Sequence, residues 1–240
     1  MFPLKDNIPT DRLPVVTLAL IAANVLIYLL VQRGGWEITS LTSGDWSLGG
    51  EAAYPCDLTA QCPPGEPPPG HIGPWASVFT AMFMHGGLLH LGGNMLFLWI
   101  FGNNVEDAMG RVPFLLFYLA GGVAAIALQT AIDPDAAVPT VGASGAIAAV
   151  LGGYLLLYPR ARVITVIFIV IFFTLIEIPA VLVLLLWFGQ QVLFGALDYG
   201  SGGQGGGVAY FAHIGGFVFG LLTVRLLAKP RATAPAPYRV

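Results

Sequence analysis

Residues 141–158 read VGASGAIAAVLGGYLLLY, eighteen positions without a charge, with four glycines and a serine at 144. A helix needs about 20 apolar residues to cross a hydrocarbon core about 30 Å thick, so this run predicts a membrane-spanning helix. Five more runs of that kind flank it: Leu13 to Gln32, Leu88 to Gly102, Val112 to Ala131, Ile178 to Ala196 and Val208 to Ala228. The expected fold is therefore all-α, a polytopic membrane protein with six transmembrane helices. The stretch Val163 to Ala196 is too long for one span, and Pro179 interrupts a helix there. Val163 to Phe173 is accordingly read as a membrane-embedded connection.

Composition agrees. Of 240 residues, 56% are hydrophobic and only 10% charged, against about a quarter charged in soluble domains. The net charge of −3 leaves no basic stripe for phosphates, so nucleic acid is not an expected partner. Lys5, Arg12, Arg111, Arg160, Arg162, Arg225, Lys229, Arg231 and Arg239 fall on one side of the six-span arrangement, and only Arg33 on the other. The positive-inside rule then makes both termini cytoplasmic. The expected organisation is a cytoplasmic segment 1–12, a membrane domain 13–228 with external loops 33–74 and 198–207, and a cytoplasmic tail 229–240. The first run exceeds a usual signal-peptide core and lacks a small-residue cleavage site before Arg33, so it reads as an anchor.

The first external loop carries six prolines between Pro63 and Pro74, which favours extended backbone. Trp75 to Met84 is apolar but too short to span and is expected at the outer interface. Cys56 and Cys62 both fall in the first external loop, where an oxidising compartment permits a disulfide; two free thiols are the alternative. The loop 198–207 is glycine-rich and reads as a lid or a plain linker.

Strongly polar groups inside spans are costly and call for a reason. His90 and Asn94 in the outer half of span two, Ser144 at the outer start of span four and His213 in span six all fall in the external leaflet. Gly142 and Gly145 beside the serine allow close approach by another backbone, and His213 shares a helix face with Gly216 and Gly220. Each residue alone reads as helix packing. Together, serine and imidazole supply a nucleophile and a base. No carboxylate lies within these spans, so a dyad is expected rather than a triad. His90 and Asn94, four residues apart on one face, and the Ser144 N–H at a helix N-terminus can together stabilise an oxyanion. His85 is out of helical phase with His90 and is assigned to loop ordering. The His85-x4-His90 spacing does not match a zinc protease, so neither metal nor cofactor is expected.

In these motifs the chain resembles the rhomboid family of intramembrane serine proteases, over roughly Trp75 to Thr223: MHGGLLHLGGNM, FGNNVEDAMGR, GASGAIAAVLGGY and AHIGGFVFG, in that order. The resemblance implies a six-helix core, Ser144 as nucleophile, His213 as base, an oxyanion hole of His90, Asn94 and the Ser144 amide, and Glu106 ordering the turn after span two. It further implies transmembrane proteins as substrates, cut near the external face at readily unwound segments. Ala148 departs from the aromatic residue that many members place four after the serine; Tyr210 or Phe211 is expected to support the histidine instead. The Trp-Arg pair of some members' first external loop is also absent. The expected location is the plasma membrane. A catalytically inert scaffold binding transmembrane helices, and a small transporter, are the rival readings.

Overall fold

The computed structural model describes residues 2–32, 50–65, 71–169, 172–201 and 207–228. The C-terminal tail 229–240, most of the first external loop and the middle of the glycine-rich loop lie outside them. Helices dominate: α1 (Val15–Leu26, running on through a π-helical turn, Ile27–Val31), α2 (Pro55–Leu58), α3 (Pro74–Thr80), α4 (Leu88–Phe97, with a π-helical turn Leu98–Gly102), α5 (Asn103–Met109), α6 (Arg111–Ile132), α7 (Ser144–Leu157), α8 (Ala180–Gly200) and α9 (Tyr210–Leu227).

The all-α expectation needs one correction. Three strands, β1 (Phe2–Asp6), β2 (Arg162–Ile169) and β3 (Phe172–Pro179), form an antiparallel sheet in the order β1-β2-β3. The stretch read as a membrane-embedded connection is thus a β-hairpin, in register from Arg162↔Pro179 to Ile169↔Phe172. Its sequence, RVITVIFI followed two residues later by FFTLIEIP, is rich in β-branched and aromatic residues. Such residues pack well on a pleated sheet and lose rotamer freedom in a helix. The helix expected there as the fifth span, α8, starts at Ala180, after Pro179, and continues to Gly200 instead of ending at Ala196.

The sheet is tied to the helices by Asp6, whose buried carboxylate accepts hydrogen bonds from Asn104 Nδ2 (2.7 Å) and Tyr154 OH (2.6 Å). Burial pushes the Asp6 carboxyl up to about 6, against the Tyr154 hydrogen bond, which favours the ionised form.

Helix α7 is the centre of the bundle. Residues 145–154 are all buried, on every side of the helix, which marks a helix enclosed by others. It packs mainly on α9 and α6, and glycines set how close these helices come. A methyl group built on Gly216 would run into the Gly145 carbonyl, and one on Gly220 into the Ala149 carbonyl. One on Gly145 would strike the Ala125 side chain of α6. Small residues at such crossings are how membrane helices gain packing where lipid supplies no hydrophobic drive. By contrast α8 touches the rest along few residues and leaves Leu182, Leu185, Leu186 and Leu193 exposed.

Glu106, in α5, orders the start of α1. Its carboxylate accepts from the backbone N–H groups of Val16 (3.0 Å) and Thr17 (2.7 Å) and from the Thr17 hydroxyl (2.8 Å). These are N–H groups of the first helical turn, which have no intrahelical partner and carry the positive end of the helix dipole. Glu106→Ala should lower stability by roughly 2–4 kcal/mol, read by thermal unfolding in detergent, because it orphans two buried donors and one part-buried donor at once.

Candidate active site

Ser144 is the first residue of α7, and the turn delivering it depends on Gly142. That glycine adopts φ +120°, a region L side chains avoid. A Cβ there would also lie 2.8 Å from His90 Nε2 and 3.5 Å from Ser144 Oγ. The missing side chain therefore gives the turn its shape and leaves space between imidazole and hydroxyl. The Gly142 N–H donates to the Ala81 carbonyl at 2.8 Å, fixing the loop.

From α9, His213 places Nε2 2.8 Å from Ser144 Oγ. The start of α9 is held by Gln129 of α6, whose Oε1 accepts from the Ala212 N–H (3.2 Å). Trp187 of α8 lies against the imidazole with ring centroids 5.8 Å apart and planes at 39°. Gln191, one turn further along α8 and 5% exposed, puts its Oε1 2.8 Å from His213 Nδ1.

His90 and Asn94 project from α4 toward the same space. His90 Nδ1 accepts from the Gly86 N–H at 3.3 Å, which leaves Nε2, the nitrogen facing Gly142 and Ser144, as the proton-bearing one. Asn94 is 8% exposed, and its Nδ2 is a buried donor without a hydrogen-bond partner. A buried N–H donor without a partner is costly, so its place in the fold calls for a reason. Both residues, with Ser144, His213 and Trp187, line a cavity of about 380 Å³.

His85 precedes α4 and stays out of the cavity. Its ring meets His90 edge-on at a centroid distance of 5.1 Å, while its backbone N–H and carbonyl are both hydrogen-bonded to the Gln32 side chain at 3.0 Å. Cys56, in α2, and Cys62, in the segment after it, are joined in a disulfide. The ring supporting His213 differs from expectation: Tyr210 packs on Phe194 and Phe211 on Tyr199, and Trp187 takes the place under the histidine. Ala148 is fully buried facing Gly216, so the helix contact occupies the space of an aromatic side chain. Trp187 and Gln191 escaped the sequence reading. Their signal was present, as a tryptophan and a glutamine at i, i+4, with Gln190 beside the second, in an expected span of mostly apolar residues. Among the described residues no group of His, Cys, Asp and Glu is placed to hold a metal ion.

Three described helices, α6, α8 and α9, are long and apolar enough to cross a bilayer, and α1 and α7 are shorter apolar helices. Fold and site thus define an integral membrane protein built on a helical bundle, with a serine hydroxyl and an imidazole in contact inside it. Residues 73–230 match the model of the rhomboid domain, and the chain belongs to the rhomboid family. It is 29% identical over 221 residues to rhomboid protease GluP of Bacillus subtilis, covering 92% of this chain and 36% of that protein. It is 30% identical over 154 residues to rhomboid protein 1, mitochondrial, of Saccharomyces cerevisiae, covering 61% and 40%. A 73-residue stretch is 42% identical to rhomboid-like protein 11, chloroplastic, of Arabidopsis thaliana, covering 30% and 26%. The chain therefore spans well under half the length of these curated relatives.

Proposed function

We propose that this chain is an intramembrane serine endopeptidase that cuts transmembrane proteins with a Ser144–His213 dyad. The observation that carries the reading is the 2.8 Å contact between Ser144 Oγ and His213 Nε2 at the wall of a cavity that also receives His90 and Asn94. The similarity to a protein named a rhomboid protease adds to it.

In the proposed reaction Ser144 Oγ attacks the substrate carbonyl carbon as its proton passes to His213 Nε2. The carbonyl oxygen becomes an oxyanion facing His90 Nε2–H, Asn94 Nδ2–H and the Ser144 N–H in the first turn of α7. Nε2 then returns the proton to the departing amine nitrogen. Water attacks the acyl-enzyme by the same route in reverse, releasing the new carboxyl end and restoring the Ser144 hydroxyl. Asn94 Nδ2, a buried donor on a residue lining the cavity, is available to bond this oxygen. His90→Ala and Asn94→Ala should each reduce kcat by about 10- to 1,000-fold with little change in KM, because the contact forms in the transition state.

We assign the six spans to α1, α4 with its continuation, α6, α7, α8 and α9. Helix α7 has 14 residues and rises only about 21 Å, short of a hydrocarbon core of about 30 Å. If its far end sits at the cytoplasmic boundary, Ser144 lies below the opposite surface, inside the bilayer. The Lys/Arg asymmetry favours an orientation with both termini on the cytoplasmic side, with 13–228 as the membrane domain. Substrates must expose a peptide bond that a helix shields, so segments with helix-breaking Gly or Pro are the favoured class. The test is incubation of the protein in liposomes with a panel of transmembrane substrates, with cut sites mapped by mass. Cleavage within the membrane segment supports the reading, and intact substrates throughout the panel would remove it.

A further inference from the structure

Ser144 and His213 leave one atom of the imidazole, Nδ1, unaccounted for. It meets Gln191 Oε1 at 2.8 Å. The glutamine amide is itself oriented, since Gln191 Nε2 lies 3.3 Å from the Trp187 carbonyl oxygen one turn earlier in α8. A carbonyl oxygen can only accept, so the NH2 end of the amide must face it and the oxygen end must face His213. An amide oxygen also only accepts, so Nδ1 must be the nitrogen carrying the proton of the neutral ring. That leaves Nε2 with its lone pair toward Ser144, whose hydroxyl has to donate. Each direction follows from the one before, from Trp187 C=O through Gln191 and His213 to the serine proton.

We propose that Gln191 is a positioning residue for the reaction, a neutral counterpart of the third member of a catalytic triad, which fixes the His213 tautomer competent to accept the Ser144 proton. This rests on the reading of Ser144 and His213 as nucleophile and base. In protein triads a carboxylate does the corresponding work, and the wrong tautomer there suppresses turnover by orders of magnitude. An amide holds the tautomer equally well by geometry and places no net charge in a low-dielectric site, where an unpaired carboxylate is expensive. Trp187 closes the other side of the restraint: its ring lies against the imidazole and its carbonyl aligns the glutamine, so tryptophan and glutamine act as one clamp on α8.

The test has two readouts. In protein labelled with 15N-histidine, with the His213 signals assigned by difference from His213→Ala, wild type should show a protonated Nδ1 and an unprotonated Nε2. Gln191→Leu should convert His213 to a mixture of tautomers and lower kcat about 10- to 100-fold with KM changed less than about twofold. Gln191→Glu, which keeps an acceptor at the same reach, should retain the Nδ1–H form and recover activity to within a few-fold of wild type. A wild-type His213 protonated on Nε2 would overturn the proposal, as would a Gln191→Leu variant with unaltered kcat or unaltered tautomer. The nitrogen signals are read without substrate. If they come out as expected but wild type cuts nothing, or Ser144→Ala cuts as well as wild type, it is the protease reading that fails, while Gln191 keeps its hold on the ring.

Discussion

Ser144→Ala is expected to lower cleavage of a transmembrane substrate by about 10⁴-fold or more, to the background of the assay, while expression and thermal unfolding stay unchanged. The size follows from what the side chain does: without Oγ no acyl-enzyme can form, and the remaining oxyanion donors sustain only a residual rate far below that of the intact pair. His213→Ala should fall nearly as far, because a serine hydroxyl near neutral pH stays protonated without a base beside it. The double variant should be no worse than either single one, since the 2.8 Å pair acts as a unit. Two independent losses that multiply would mean that the residues do not work on the same step.

The second large effect concerns the fold. Gly216→Val should destabilise the bundle by more than about 3 kcal/mol, or prevent its accumulation, because the new side chain meets the Gly145 carbonyl, and backbone cannot move aside as a flexible side chain can. Gly220→Val faces the Ala149 carbonyl and should behave alike. Gly189→Ala in α8 is the control: nothing lies within 4 Å of the added methyl, so it should be neutral or slightly stabilising by helix propensity. Thermal unfolding in one detergent compares all three, and a tolerated Gly216→Val would disprove the account of α7–α9 packing. Because Gly145 adjoins Ser144, and Gly216 lies one turn from His213, this crossing also sets the distance between hydroxyl and imidazole.

Much of this was legible in the sequence because membrane burial penalises polarity so heavily. A serine, two histidines and an asparagine in apolar runs each call for a reason, and a common depth in different runs pointed to one site. The sheet was less legible, since in RVITVIFIVIFF an apolar run with no polar alternation fits a buried helix or a strand equally. Its third strand, Phe2–Asp6, pairs with residues some 160 positions later, a contact no local pattern carries. Gln191 went unnoticed for a different reason. The adjacent amides Gln190 and Gln191 look alike as tolerated polarity until the distance from one of them to a particular nitrogen is known, and the same holds for Trp187 beneath the histidine.

The central claim is that Ser144 is a nucleophile activated by His213. A serine-directed fluorophosphonate, applied to the folded protein in detergent and followed by peptide mass mapping, reads that property without any knowledge of the substrate. The account predicts an adduct on Ser144 in wild type, strongly diminished in His213→Ala and absent from Ser144→Ala. A wild-type protein that stays unmodified at Ser144, or labels equally well without His213, would contradict it and leave a helix-binding scaffold as the better description.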